Sequence, residues 1–313
     1  VSAVIPTRGR PELVVRAVKS ALAQTWRDLE VIVVVDGPDA ATVAALEALG
    51  DERVRVVALE SSVGGSQARN VGAGHARGAW VALLDDDDEW LPEKLQQQMA
   101  AASASCGLEA TNILIASLYL HRAPGAPDVV RPRRLPRAGE SIVDFMFDYL
   151  CYFQTSTLIC SADLIRRIPF RPNLPLFQDI DWFLRLNSDP QVRLIVAPTP
   201  LSIYYEPARR PSITSKAGWR ERLEWGKSRR DLMSRKAYAR FVVGSCVARA
   251  VEDGAGIRGL ARLFYETAFH GSATPRLIAL LLGSYLLTPT LRKRVRDTVF
   301  LKKRKYTTTA ITH

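Results

Sequence analysis

The stretch ALLDDDDEWLP, residues 82–92, sets four consecutive carboxylates, Asp85 to Asp88, directly behind an apolar run. Like charges this close repel one another, and in a folded protein they ionise together only when something cationic joins them. A divalent metal is the simplest such cation. Mg²⁺ and Mn²⁺ are usually held by one or two carboxylates, with water and nucleotide phosphate oxygens filling the other positions. The sequence has neither a GxxxxGK[ST] phosphate loop nor a GxGxxG fingerprint, so a phosphate would have to be met by metal and side chains. An acidic loop after a strand can equally be solvated or start the next helix. The histidines, at 75, 121, 270 and 313, are too scattered for a zinc site, and histidine catalysis is not supported.

The elements that must position this loop follow from hydrophobic periodicity. SAVIP and EVIVVVD are short β-branched runs, and RPELVVRAVKSALAQ between them carries apolar residues at helical spacing. This is a strand, helix, strand unit with a parallel pair. TVAALEALG reads as a second helix ending at Gly50, RVRVVALE as a third strand, SQARNVGAGHARG as a third helix and AWVALLD as the strand that delivers the acidic run. Such alternation predicts an α/β sheet with helices on both faces. Ligands of open sheets of this kind bind at the carboxyl ends of the strands, where Thr7, Asp36 and Asp85 all fall.

With 47% apolar and 24% charged residues, the 313-residue chain has enough material for one large or two modest cores. Cys106, Cys151, Cys160 and Cys246 lie far apart and read as reduced and mostly buried. The chain opens on a strand-like VSAVIP without a secretion leader or an initiating Met, which reads as a cytoplasmic protein that is trimmed or partial. Its charge is uneven: residues 1–205 carry 20 Lys and Arg against 24 Asp and Glu, and residues 206–313 carry 23 against 8. A basic surface of this kind faces an anionic partner, phospholipid or nucleic acid, or is a solvated helix face.

The run VIPTRGRPELVVRAVKSALAQTW, then EVIVVVDG, then GGSQARNVGAGHARGAWVALLDDDDEWLPEKL, resembles the nucleotide-binding half of a family-two, inverting glycosyltransferase. The likeness runs through nearly all of residues 2–100, in the family's order and spacing. It continues in QTSTLICSADLIRRI and FQDIDWFLRL, similar to the segment that supplies the family's catalytic base. The resemblance implies a GT-A fold, a Rossmann-like mixed sheet flanked by helices, together with a nucleotide-sugar donor and Mn²⁺ or Mg²⁺. On this reading residues 1–205 form the GT-A domain, with a donor half at 1–100 and an acceptor and base half at 101–205, and residues 206–313 form a basic α-helical region.

Roles follow residue by residue. Asp85 and Asp87 frame a D-x-D pattern: Asp87 is expected on the metal, with Asp85 or Asp86 on the ribose or a metal-bound water. The metal neutralises the departing diphosphate, a Lewis-acid contribution of several kcal/mol. Asp88 is read as a helix-start or loop residue; at a helix start it would favour the dipole of the next helix by roughly 0.3 to 1 kcal/mol. Pro6, Thr7, Arg8 and Asp36 stand at the strand ends that enclose base and ribose in the family, with Asp36 accepting from uracil. Here VDGPD replaces the commoner DDGS, so one acidic contact is missing, and Pro38 and Asp39 can simply form the turn. Arg69 approaches ribose or diphosphate, where a planar guanidinium suits phosphate, or else pairs with a helix neighbour. Gly64 and Gly65 let the backbone pass close to the donor.

In QDIDWFLRL the family's Glu-Asp pair aligns with Gln178 and Asp179, making Asp179 the general base that takes the acceptor's proton. Asp181 competes for that role, its other reading being a cap on the following helix. Trp182 either floors the acceptor site or packs in the core. Past residue 205 the likeness thins, and Arg209 or Arg210 of YYEPARRPSITS either reaches the diphosphate or is solvated.

The tail reads as three amphipathic helical stretches, at 218–252, 256–271 and 275–305. Leu277 to Leu287 is strongly apolar, but its 11 residues before Pro289 fall well short of the roughly 20 needed to span a bilayer. Flanked by Arg276, Arg292, Lys293, Arg294 and KKRK, residues 276–305 could lie on an anionic membrane, beside a glycan or lipid-linked acceptor, on the cytoplasmic face. A buried helical subdomain or a dimer surface is the other reading. Two further classes compete for the whole chain. A nucleotidyltransferase making nucleotide-sugars would open with a Gly-rich loop that VIPTRGRPEL lacks, and a nucleic-acid binder would leave the acidic run idle and shows no interleaved aromatics, so nucleic acid is not expected as a partner.

Overall fold

The structure, a computed structural model, describes residues 1–107, 109–148, 151–206 and 217–286. The described residues fall into two compact units, one within Val1–Met146 and Leu150–Lys216, the other within Phe147–Tyr149 and Ala217–His313.

In the first unit the expected alternation appears in order: β1 (Ser2–Thr7), α1 (Pro11–Leu22), β2 (Glu30–Val35), α2 (Ala40–Glu47), β3 (Val54–Ala58), α3 (Gly65–His75) and β4 (Trp80–Leu83). Local chemistry sets the boundaries. Pro11 stands at the start of α1, with Glu12 in its first turn and Lys19 in its last, and Val14, Ala17, Val18 and Ala21 recur at helical spacing to bury one face. Asp39 caps α2 by accepting from the Thr42 amide at 3.1 Å, and its Oδ2 also accepts from the Gly9 amide at 2.8 Å. That one carboxylate ties together the loops after β1 and β2, so Pro38 and Asp39 form the turn.

The chain continues through β5 (Glu89–Trp90), α4 (Lys94–Cys106), β6 (Ile113–Arg122), β7 (Val129–Arg131), α5 (Ile142–Met146), a 3₁₀ turn at Thr155–Thr157, β8 (Ile159–Ser161), α6 (Ala162–Arg167), α7 (Gln178–Asn187) and β9 (Arg193–Tyr205). One sheet carries the nine described strands in the order β3-β2-β1-β4-β8-β6-β9-β5, with β7 beside β6. β1 pairs parallel with β2 and β4, whereas β8 runs antiparallel to both β4 and β6. The sheet is therefore mixed. Alternate residues feed two cores: Val4, Ile32, Val34, Val81 and Leu83 on one face, Ala3, Ile5, Val31, Val33 and Ala82 on the other. β2 and β3 lie to one side of β1 and β4 to the other, so the order reverses at β1 and leaves a crevice at the carboxyl ends of β1, β2 and β4.

The second unit is helical: α8 (Trp219–Lys227), α9 (Arg235–Phe241), a π turn at Val242–Val247, α10 (Ala248–Glu252), α11 (Gly256–Tyr265), a π turn at Glu266–His270 and α12 (Pro275–Leu286). The first expected tail helix is broken before Arg235, because Ser234 accepts from the Ala237 amide at 3.0 Å and starts a new helix. Trp219, Leu223, Tyr238, Phe241, Val242, Leu263 and Leu281 are buried there. α12 thus buries Leu281 and leaves Leu282 exposed. Among the described residues no helix is long and apolar enough to cross a membrane.

Candidate functional site

The crevice at the strand ends is a cleft of about 700 Å³ within the first unit. Pro6, Thr7, Arg8, Asp36, Gly64, Gly65, Arg69, Asp85, Asp86, Asp87, Gln178 and Asp179 all line it. Residues as far apart in sequence as 6 and 179 are therefore brought to one cavity. Asp181 and Trp182 are fully buried, and Arg209 and Arg210 lie outside the described residues.

On the β1–β2 side, Asp36 is held by the loop that leads into α3. Its Oδ1 accepts from the Val63 amide at 2.6 Å, and its Oδ2 accepts from the Gly64 amide at 3.1 Å and the Ser62 hydroxyl at 2.9 Å. Arg8 Nη1 donates to the same hydroxyl at 2.9 Å. Gly64 has φ +82°, a left-handed conformation that favours glycine. A Cβ on Gly65 would stand 3.3 Å from Arg69 Nη1, so that position keeps the guanidinium close to the backbone.

Each carboxylate of the acidic run has a partner, and Asp86 and Asp87 share one. Asp85 pairs with Arg69 at 2.5 Å, and Asp86 accepts from Thr7 Oγ1 at 2.7 Å and Arg10 Nη1 at 2.8 Å. Asp87 faces the same Arg10 nitrogen at 3.0 Å and keeps 45% of its side chain exposed. Burial pushes Asp86 up to about 6 despite Arg10 and Thr7. Burial and the charge of Asp85 also raise Asp87. Burial, the largest single influence, would lower the pKa of Arg69, but the charge and hydrogen bond of Asp85 together with the charge of Asp179 outweigh it and leave the guanidinium more firmly protonated than usual.

Of the two expectations for Asp88 the loop holds and the helix start does not, because α4 begins only at Lys94. The residue is fully buried, accepting from Ser156 Oγ at 2.7 Å, from Gln154 Nε2 and from the Tyr205 amide at 3.4 Å. Burial, then the charges of Asp85 and Asp87, hold it well above the usual carboxylate range. The acidic loop is thereby anchored to the Thr155–Thr157 turn of the second half. Trp90 Nε1 donates to the Ser156 carbonyl at 2.8 Å and strengthens that anchor.

Facing the acidic run, α7 begins after Phe177, whose φ of +51° is a strained conformation for an aromatic residue. That turn brings Gln178 and Asp179 to the cleft wall. Asp179 Oδ1 accepts from the Ile180 amide at 2.8 Å, and Oδ2 accepts from the Tyr152 hydroxyl, so both oxygens are fixed. Asp181 does not cap the helix. Its amide donates to the Phe177 carbonyl at 2.8 Å, so it already lies within α7, and its carboxylate pairs with Arg185 at 2.9 Å. Trp182 does not floor the site either. It stacks on Phe170 at 4.4 Å and donates to the Ile168 carbonyl at 2.7 Å inside the core.

The sequence reading missed Arg10, Arg16, Tyr152, Gln154, Ser156 and Tyr205. Arg16 lies 4.1 Å from the Tyr205 ring centre, 3.0 Å from Glu89, and donates to the Asp87 carbonyl at 2.5 Å. The available signal was TRGRPEL, where a second arginine stands just before the proline that starts α1. Nothing local marks Tyr152 or Ser156, whose partners are 27 and 68 residues away. Among the described residues no three His, Cys, Asp or Glu side chains are grouped to hold a metal by themselves.

Residues 2–153 match the model of a family described as glycosyl transferase family 2. The chain carries a family 2 glycosyl transferase domain. Among relatives of this family 2 domain, the succinoglycan biosynthesis protein ExoO of Rhizobium meliloti is 42% identical over 105 residues, 34% of this chain and 30% of that protein. The amylovoran biosynthesis glycosyltransferase AmsB of Erwinia amylovora is 26% identical over 247 residues, covering 76% of this chain and 82% of its own. The chain thus matches under a third of the length of one and most of the other. Residues 1–349 of S. aureus TarS, solved with UDP-GlcNAc, superpose with a TM-score of 0.65 at 16% identity over 95% of this chain and 91% of that one. That likeness is one of fold, and the fold is GT-A, a mixed sheet flanked by helices; the C-terminal region of the chain is helical.

Proposed function

We propose that this chain is an inverting glycosyltransferase that moves a sugar from a nucleotide-sugar, by preference a UDP-sugar, to a hydroxyl of a glycan or lipid-linked acceptor in polysaccharide synthesis. The observation that carries it is the meeting of Asp85, Asp86 and Asp87 from the first half with Asp179 from the second in one cleft. The relatives named for succinoglycan and amylovoran synthesis support the product class, and TarS with UDP-GlcNAc supports the donor class.

The donor set fits a divalent cation. Asp87 is the most open carboxylate of the run, which suits an ion that takes its other oxygens from a nucleotide and water. Asp87, with Asp85, would hold Mn²⁺ or Mg²⁺, which when bound supplies charge neutralisation for the departing diphosphate. Arg69 lines the same cleft, and its buried Nε has no hydrogen-bond partner among the described residues, a donor that a small turn of the side chain could offer to a phosphate oxygen. Asp36, Thr7, Arg8 and Pro6 enclose base and ribose. Asp179, fixed on both oxygens, takes the acceptor proton, and in-line attack opposite the diphosphate inverts the anomeric carbon.

The test is calorimetry of UDP binding with Mn²⁺ and with EDTA, on wild type and Asp87→Ala, with the product's anomeric configuration read by NMR. Metal-dependent UDP binding that Asp87→Ala abolishes, and an inverted product, are expected. Equal UDP affinity in EDTA, or a retained configuration, refutes the reading.

An anionic membrane surface as partner has its own support. Ile257, Phe264, Tyr265 and Phe269 are 75, 40, 49 and 64% exposed on α11 and the turn after it, beside Arg258 and Arg262. Residues 276–305 were the expected contact, and of these only 276–286 are described.

A further inference from the structure

We infer that Arg10 is a resident counter-ion of the acidic loop, which must leave Asp87 before a metal can bind there and which turns to the nucleotide's diphosphate when it does. Metal and nucleotide then bind interdependently through a protein side chain as well as through their own bond. The inference rests on the proposed assignment of Asp87 to the metal.

The geometry singles out this residue. Asp85 is matched with Arg69, and Asp88 is enclosed by Ser156, Gln154 and the Tyr205 amide. Asp86 has the Thr7 hydroxyl besides Arg10. Asp87 differs, because its carboxylate meets its own backbone amide and, as counter-charge, Arg10 Nη1 at 3.0 Å. The guanidinium and the Asp87 carboxylate are 34 and 45% exposed, so this contact can open without unpacking the core. Arg10 sits at the end of the β1 loop just ahead of α1 and lines the same cleft.

A divalent ion on Asp87 would stand within a few ångströms of the guanidinium, and two cations at that distance repel. Bare metal must therefore displace Arg10 into solvent. A nucleotide diphosphate changes the balance, since a planar guanidinium meets phosphate oxygens with charge-assisted, often bidentate hydrogen bonds. Asp87 then goes to the metal and Arg10 to the phosphate, while Asp86 keeps the Thr7 hydroxyl. Coupling of this kind is reciprocal: whatever factor nucleotide adds to metal affinity, metal adds to nucleotide affinity.

Mn²⁺ binding is measured on the full chain by the loss of the free-ion EPR signal, with and without UDP, for wild type, Arg10→Met, Arg10→Lys and Asp87→Ala. Without UDP, Arg10→Met should bind Mn²⁺ roughly tenfold more tightly than wild type, and the gain that UDP adds should shrink by a similar factor. Arg10→Lys, which keeps the charge but not the fork, should bind bare Mn²⁺ about as wild type does while losing part of the UDP gain. A folded Arg10→Met that binds bare Mn²⁺ no better than wild type overturns the inference. If Arg10→Met does not fold, Arg10→Lys decides: an unchanged UDP gain overturns the inference, and a reduced one supports it. Asp87→Ala separates the two layers, because Mn²⁺ binding that survives it shows that the metal assignment itself has failed.

Discussion

The Ser156 hydroxyl donates to Oδ2 of Asp88 at 2.7 Å and in turn accepts from the Asp85 amide at 3.0 Å. One side chain from the second half thus holds both ends of the acidic run. Ser156→Ala would leave a buried carboxylate and a backbone amide each short of a partner, at about 1–3 kcal/mol for such a loss. At roughly 2–4 °C per kcal/mol for a chain near this size, the melting temperature should fall by several degrees. UDP affinity with Mn²⁺ should fall alongside it. A Ser156→Ala protein with wild-type melting and wild-type UDP binding would show that the loop is held by other contacts.

Asp179→Asn keeps the shape of the proposed base and removes its basicity. Transfer should fall by roughly 10² to 10⁴ with donor affinity nearly intact. Tyr152→Phe leaves Asp179 unchanged but releases its Oδ2, so kcat should drop by about tenfold while the Kd for UDP stays put. Asp181→Asn acts differently. It breaks a buried pair with Arg185, which costs roughly 3 kcal/mol or more, so melting should suffer before turnover does. Rates and melting curves of the three variants decide the matter. An active Asp179→Asn beside a folded but dead Asp181→Asn would move the base to Asp181.

Sequence periodicity located β1 through α3 because each element carries its own pattern, β-branched runs for strands and spaced apolar residues for helices. The cleft residues Thr7, Asp36 and Asp85 to Asp87 were legible for a related reason, since strand ends in such a sheet have a fixed place, whereas Arg69, within α3, was placed by the family resemblance alone. What stayed hidden depends on long-range partners. Asp88 was set apart from its neighbours as a structural residue, but only the fold shows that it points inward to Ser156, 68 residues on. Asp181 and Trp182 sat beside Asp179 in sequence, yet the helical repeat turns them to the core side. Arg10 was passed over because a loop arginine is normally solvated, and nothing local says that Asp86 and Asp87 will face it.

Lys94 is fully buried, with Nζ donating to Gln98 Oε1 at 2.6 Å and lying 4.4 Å from the Trp90 ring centre, and among the described residues no carboxylate pairs with it. Burial holds its pKa well below the usual lysine value. The folded state then binds fewer protons here than the unfolded chain, so this group costs no stability above the unfolded value of about 10.4 and costs progressively more as pH falls below it. Lys94→Met should therefore raise the melting temperature at pH 7 by about 2 °C or more, equivalent to roughly 1 kcal/mol. The gain should shrink as the pH approaches 10. Melting curves of both proteins across pH 6 to 10 give the comparison, and a difference that is flat or widens with pH would exclude this origin.

The exposed ridge of Ile257, Phe264, Tyr265 and Phe269 gives the membrane proposal a specific test. Tyr265 and Phe269 stack with ring centres 4.8 Å apart, so the ridge already presents ordered aromatic surface. An apolar ridge beside basic residues suits the headgroup boundary of an anionic bilayer, where each nearby Lys or Arg contributes about 1 kcal/mol. The full chain should co-sediment with vesicles containing phosphatidylglycerol more than with phosphatidylcholine alone. Added salt should weaken the binding, as screening shortens the reach of exposed charge below about 8 Å. Ile257→Asp with Phe269→Asp places two like charges on the ridge without touching the core, so binding should fall by at least tenfold with melting unchanged. Gel filtration in parallel separates the competing occupant: if wild type is a dimer that the double variant splits, and neither prefers anionic vesicles, the ridge joins two copies of the chain and the membrane proposal is wrong.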